Sequence, residues 1–233
     1  MWKVVALGIA NAGKSAVLSA LAKERGLFPD GEVPHVTRKI QKHAVGSLLL
    51  VDTPAWDDEV ADADWAMKVA AAADTVLWCH SLRIGELHAV ELAALRRCHA
   101  GSRAIGKTCF VLTHADNVAS EKIVRAVSAR IARQLREVFG LQFQDAGEPP
   151  PKQKVGECRL PKFNVVALGT YWRALQLGKE QREKSWIKRL IYWRTYLAAE
   201  KQRRITLHRS GIPRLRSFLE ALGQIKVIRK GPL

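Results

Sequence analysis

The eight residues GIANAGKS, Gly8 to Ser15, follow directly on the apolar run VVAL and lead straight into SAVLSALA. Few folds accommodate that junction. A buried strand must stop, turn tightly and release a helix, and the two glycines let the backbone wrap with its N–H groups pointing inward at the helix N-terminus. Gly8, Gly13, Lys14 and Ser15 stand at the spacing of a phosphate-cradling loop, in which the lysine reaches the outer phosphates of a nucleotide and the hydroxyl meets Mg²⁺. A chance match in an ordinary strand-turn-helix is the competing reading, and the strand before and helix after weigh against it.

The rest of the chain alternates in the way such a loop requires. WKVVAL reads as a buried strand, and in SAVLSALAKER the residues Val17, Leu18 and Leu21 share one helical face. Gly26 to Val36 has loop chemistry. RKIQKHA and SLLLV follow as strands, then a helix near Ala61 to Ala73, the strand TVLWCH, a helix near Glu86 to Cys98 and the strand KTCFVLTH. Val124, Val127, Ile131, Leu135 and Val138 form an apolar helical stripe that Gly140 ends. A Pro-rich excursion, GEPPPKQKVG, precedes a last strand, FNVVAL. This pattern predicts an α/β fold, a mostly parallel sheet between helices.

Two carboxylates at strand ends refine the chemistry. Asp52 closes SLLLVD, where a carboxylate can hold Mg²⁺ through its water shell, although Asp at a strand end also serves simply as a turn residue. Asp116 lies three residues beyond Thr113 in FVLTHAD. One carboxylate there can accept from the ring N–H and the exocyclic amine of guanine together, a pair that adenine does not offer. The reading is a GTP site.

With those residues in order, the chain resembles the Era-like and TrmE-like branch of the bacterial translation-factor-class GTPases, P-loop G domains. GIANAGKS is similar to the family's phosphate loop, VTR around Thr37 to its switch I box, DTPA to its DTPG box and THAD to its guanine box. The resemblance covers residues 1–170 and returns near 210–222, where SGIPRLRSFLEAL is similar to the family's last helix. It implies that Asn11, Ala12, Gly13 and Lys14 wrap the phosphates, that Ser15, Thr37 and Asp52 serve the metal, and that Thr37 senses the γ-phosphate. It also implies that Thr113, His114 and Asp116 face the base, with Ala167 donating its N–H to the guanine carbonyl. Lys14, Asn11 and Thr37 would carry catalysis, Asn11 by helping to hold K⁺, which the TrmE-like proteins use. Asparagine is equally favoured there for turn geometry alone.

Departures from the family pattern bear on hydrolysis. Ala55 replaces the DTPG glycine; its N–H still suits the γ-phosphate, but it resists a flip to positive φ. Trp56 stands where some GTPases keep a water-orienting glutamine, and an indole cannot do that. His114 replaces a lysine, and Val166 a serine. The expected activity is slow Mg²⁺-dependent GTP hydrolysis to GDP in a nucleotide-dependent switch. A nucleotide-binding interaction module with negligible hydrolysis remains open.

Charge separates the chain into unlike parts. The net charge is +16, and residues 171–233 hold 16 basic against 4 acidic side chains. Residues 171–209 form a basic, aromatic-rich insertion before the last helix and the basic tail of 210–233. Trp186, Leu190, Trp193 and Leu197 fall on one helical face there, among Arg182, Lys188, Arg189, Lys201, Arg203 and Arg204. Three uses fit: a helix packed on the domain with a solvated basic side, contact with RNA or the ribosome, and contact with an anionic membrane surface. Cys79, Cys98, Cys109 and Cys158 form no metal-ligand spacing and read as reduced thiols. No apolar run reaches the about 18 residues of a transmembrane segment, and no signal-peptide cleavage region precedes Gly8, so a cytoplasmic chain is expected.

Overall fold

A computed structural model of the chain describes residues 1–28, 40–56, 67–102, 107–139, 163–165, 167–183 and 193–229. Six strands form one sheet: β1 (Trp2–Leu7), β2 (Gln41–Val45), β3 (Leu48–Asp52), β4 (Thr75–Ser81), β5 (Thr108–Thr113) and β6 (Phe163–Val165). Their order is β2-β3-β1-β4-β5-β6. Only β2 runs antiparallel, joined to β3 through the turn at Gly46; every other pairing is parallel. The helices are α1 (Lys14–Ala22), α2 (Ala89–Ser102), α3 (Glu121–Phe139), α4 (Leu168–Glu183), α5 (Trp193–Arg209) and α6 (Ile212–Arg229). Residues 67–71 add a short helical segment, the described part of the helix expected near Ala61 to Ala73.

The period-2 alternation of β1 divides the core. Val5 and Leu7 join Trp78, Phe110 and Leu112 on one face of the sheet, beneath α2 and α3. Val4 and Ala6 join Leu77, Cys79 and Val111 on the other, beneath α1, α4 and α6. Burial on both faces is why these strands read as unbroken apolar runs. The stripe foreseen on α3 is the buried one, with Val124, Val127, Ile131 and Leu135 inward and Arg125, Arg133 and Arg136 exposed. Val17, Leu18 and Leu21 of α1 are likewise buried. Gly140 and the Pro-rich excursion lie outside the described residues.

Several boundaries differ from expectation for identifiable reasons. Helix α1 stops at Ala22 because Lys23 turns left-handed at φ 62° and its N–H returns to the Ala20 carbonyl. Helix α2 starts at Ala89, not near Glu86, because Leu87 is bonded through both its N–H and C=O to the Gln134 amide of α3, while Glu91 accepts from the His88 N–H. Strand β6 is shorter than FNVVAL: it pairs with β5 only as far as Val165, and by Leu168 the chain is already helical. Residues 171–209, expected as an insertion, fall in α4 beyond its first three residues and in α5, with α5 packed along α4 and also touching α6. Residues 184–192, including Trp186, Lys188, Arg189 and Leu190, lie outside the described residues.

Ile131 is wholly buried between α3 and the sheet. Ile131→Ala should lower unfolding stability by about 2–5 kcal/mol in a urea titration, the range for emptying a fully packed aliphatic site.

Candidate functional site

The site is built where β1, β3, β4 and β5 end on the same edge of the sheet. At Gly8 the chain leaves β1 with φ 142°, and a Cβ there would overlap the Cys79 carbonyl oxygen of β4, so only glycine passes. Ala12 donates its N–H to Ile9 O, and Gly13, at φ 81°, caps α1. Lys14 is 7% exposed, and its Nζ donates to Gly8 O at 3.0 Å and Ile9 O at 2.9 Å, folding the side chain back along the loop. Asn11 is exposed and left-handed at φ 56°, a conformation asparagine tolerates. Thr37 and the rest of the expected switch I, whose carbonyls a K⁺ site would also need, lie outside the described residues.

Behind the loop, Ser15 Oγ donates to Asp52 Oδ2 at 2.6 Å, bringing together two residues 37 positions apart in sequence. Asp52 is fully buried and its Oδ1 accepts from the Thr53 N–H at 3.1 Å. Thr53 Oγ1 donates to Ala6 O at 2.7 Å, which pins the DTPA segment to β1. Ala55 is half-buried, while Trp56 is buried against Trp78, ring centroids 5.8 Å apart, with its N–H on Gly8 O at 3.2 Å. An indole packed in the core is no water-orienting group. The neighbouring Cys79 thiol is pushed up to about 12 by burial, so it is neutral and inert.

On β5, Thr113 is fully buried, and its hydroxyl reaches Ala12 O at 2.9 Å and His80 O at 3.2 Å. Thr113, expected at the base, uses its hydroxyl in this structure to brace the phosphate loop against β4 and β5. His114 is left-handed at φ 57°, and its Nδ1 sits between the hydroxyls of Thr113 (2.9 Å) and Ser81 (3.0 Å). Burial holds its pKa below the ordinary histidine value, with Arg83 adding in the same direction and Asp116 opposing, so the ring is neutral at pH 7. His80 is buried with Nδ1 3.0 Å from Glu91 Oε1 and Nε2 2.9 Å from Gly85 O, which fixes the end of β4 against α2.

Asp116 follows in an exposed 3₁₀ turn, Ala115–Asn117, and its Oδ2 accepts from the Gly169 N–H at 2.7 Å and the Thr170 N–H at 3.3 Å. The first turn of α4 therefore meets the carboxylate assigned to base reading. Ala167 stands between β6 and α4. Its N–H, expected to serve a guanine carbonyl, donates to Ser210 O at 3.0 Å, because the chain leaves the sheet there for α4 and returns at Ser210 ahead of α6. Thr53, Ser81 and Gly169 were not foreseen, and only Gly169, a glycine beside a strand end, carried a local signal. Among the described residues no group of three or more His, Cys, Asp or Glu side chains could hold a metal ion.

The family described as 50S ribosome-binding GTPase matches residues 3–112. No curated protein matches the sequence. Among solved structures, a dimerization-deficient mutant of Toc33 from Arabidopsis thaliana is similar over 72% of this chain and 70% of its own, with TM-score 0.54 and 16% identity. Toc33 in complex with GDP and Mg²⁺ gives 0.52 over the same shares, also at 16% identity. Era in complex with MgGDPNP and a segment of 16S ribosomal RNA gives 0.51 at 13% identity, over 72% of this chain and 51% of the Era chain. The fold is that of an α/β P-loop G domain.

Thr113→Val keeps shape but removes the hydroxyl that faces two buried carbonyls. It should cost about 1–3 kcal/mol in chemical denaturation, and Thr113→Ser should recover most of that loss.

Proposed function

We propose that this protein binds GTP and GDP with Mg²⁺ and hydrolyses GTP slowly, as a nucleotide-dependent switch. One observation carries the reading: the phosphate loop after β1 is tied to the end of β5, three residues before Asp116, by the Thr113 hydroxyl on the Ala12 carbonyl. Phosphate and base sites are thereby held a set distance apart. The match of residues 3–112 to a GTPase family supports it, as do the ligands named for the similar folds, GDP with Mg²⁺ in Toc33 and MgGDPNP in Era.

Each residue then has a task. The loop amides from Asn11 to Ser15 hold the phosphates, and Lys14 exchanges its two carbonyl partners for β- and γ-phosphate oxygens, where its charge stabilises the transferred phosphoryl group. Ser15 and Asp52 are hard oxygen donors already in contact, the set that suits Mg²⁺, and the ion bound there would neutralise β- and γ-oxygen charge. The Ala55 N–H lies at the γ-phosphate end in this reading, and Thr37 orders switch I on the same phosphate. Asp116 accepts from guanine. With Trp56 buried, nothing at that position orients water, so the basal rate should be on the order of the 10⁻⁴ per second of unassisted small GTPases.

A macromolecular partner is supported by α5. Lys201, Arg204, His208 and Arg209 are exposed, whereas Leu207 packs inward on the core. Membrane-surface helices turn an apolar flank outward; this flank is basic, with Ile205 its one aliphatic member among residues 200–209. That favours an RNA phosphate backbone.

Binding and single-turnover assays on the wild type, Asp116→Asn and Lys14→Ala test the nucleotide reading. Wild type should prefer GTP to ATP strongly. Asp116→Asn should lose about 2 kcal/mol or more of GTP binding, and Lys14→Ala should abolish turnover while staying folded. Equal wild-type affinity for ATP would defeat the assignment. For α5, Lys201→Ala with Arg204→Ala should weaken RNA binding in a gel shift and flatten the log–log salt dependence by roughly 0.7 per charge removed. Wild-type flotation with anionic liposomes and no RNA shift would move the partner to the membrane.

A further inference from the structure

Asp116 reads the base only if its carboxylate is aimed, and its own setting does not aim it. It stands exposed in a short 3₁₀ turn, on a side chain free to rotate. What fixes it comes from 53 residues away: the Gly169 N–H at 2.7 Å, seconded by Thr170 at 3.3 Å, both on Oδ2. These N–H groups belong to the first turn of α4, where no intrahelical acceptor exists for them. The contact satisfies an otherwise orphaned donor and sets the negative carboxylate at the positive end of the helix.

Gly169 is also the residue that permits the approach. A Cβ built there would stand 2.5 Å from Asp116 Oδ2, inside any real contact, and since it would be fixed to the helical backbone of α4 it is the carboxylate that would be pushed out of place. No left-handed backbone is involved, so alanine suits the helix and conflicts only with the carboxylate. Each carboxylate oxygen has two lone-pair directions, so Oδ2 keeps the short Gly169 contact on one while guanine takes Oδ1 and, by displacing the longer 3.3 Å contact to Thr170, the other direction of Oδ2.

From these observations we infer that Gly169 is a specificity-determining positioning residue, whose backbone N–H and missing side chain hold Asp116 in the orientation that selects guanine. The inference rests on the reading of Asp116 as the base-selecting carboxylate. It assigns purine discrimination to the first turn of α4 as well as to the THAD turn.

The test compares Mg²⁺-dependent affinities for GDP, IDP and ADP, since inosine lacks only the exocyclic amine. Wild type should rank GDP above IDP above ADP. Gly169→Ala should shrink the GDP-to-ADP preference at least about tenfold, leave ADP affinity within about twofold, and change nothing further in an Asp116→Ala background. A wild type without guanine preference would defeat the reading of Asp116 itself. Wild-type preference retained in full by Gly169→Ala would overturn the positioning role alone, as would an equal effect of the substitution when Asp116 is already alanine. Should Gly169→Ala fail to fold, amide hydrogen exchange reads the same contact from the other side. The Gly169 N–H should be protected in wild type and exchange markedly faster in Asp116→Ala, and unchanged exchange would overturn the inference.

Discussion

Everything at the ligand edge depends on one close approach, the passage of the Gly8 backbone over the Cys79 carbonyl of β4. The missing side chain lets β1 end flush with its neighbour. The Gly8 carbonyl then becomes a shared acceptor, taking the Lys14 ammonium at 3.0 Å and the Trp56 N–H at 3.2 Å. Through that one oxygen the phosphate loop, the first helix and the segment after β3 are tied together. A second strut, Thr113 to Ala12, brings in β5, so the loop is held from both flanks.

The burial of Trp56 divides the site into a rigid and a variable part. Its indole joins Trp78 in the core beneath α2 and α3, which anchors the DTPA segment where many nucleotide switches begin to move. Ala55 adds stiffness, since a side chain penalises positive φ. On the proposed function, this segment would therefore stay fixed when the γ-phosphate binds, and an oriented water would need a group other than Trp56.

Local patterns carried most of the architecture. The phosphate loop, Asp52 and Asp116 were legible because each sits at a strand end where an apolar run changes abruptly to polar residues. The α3 stripe was legible from its period. What escaped were contacts between distant segments: the Ala167 N–H on Ser210 O and the Thr113 hydroxyl on Ala12 O. Neither partner is marked in the residues nearby. The start of α2 was misplaced for the same reason, since Gln134 of α3 holds Leu87 in a non-helical conformation.

The tie between Ala167 and Ser210 has a consequence for how the chain is made. Ile212, Leu215 and Leu219 of α6 are needed to close the core face formed by α1 and the sheet, yet the ribosome delivers them only after all of α4 and α5. Throughout that interval the nascent domain carries an uncovered apolar groove along β1 and β3, the kind of surface that recruits holdase chaperones or sticks to other unfinished chains. Translation stalled before residue 212 would leave a product with its phosphate loop already synthesised but one side of its sheet unsealed.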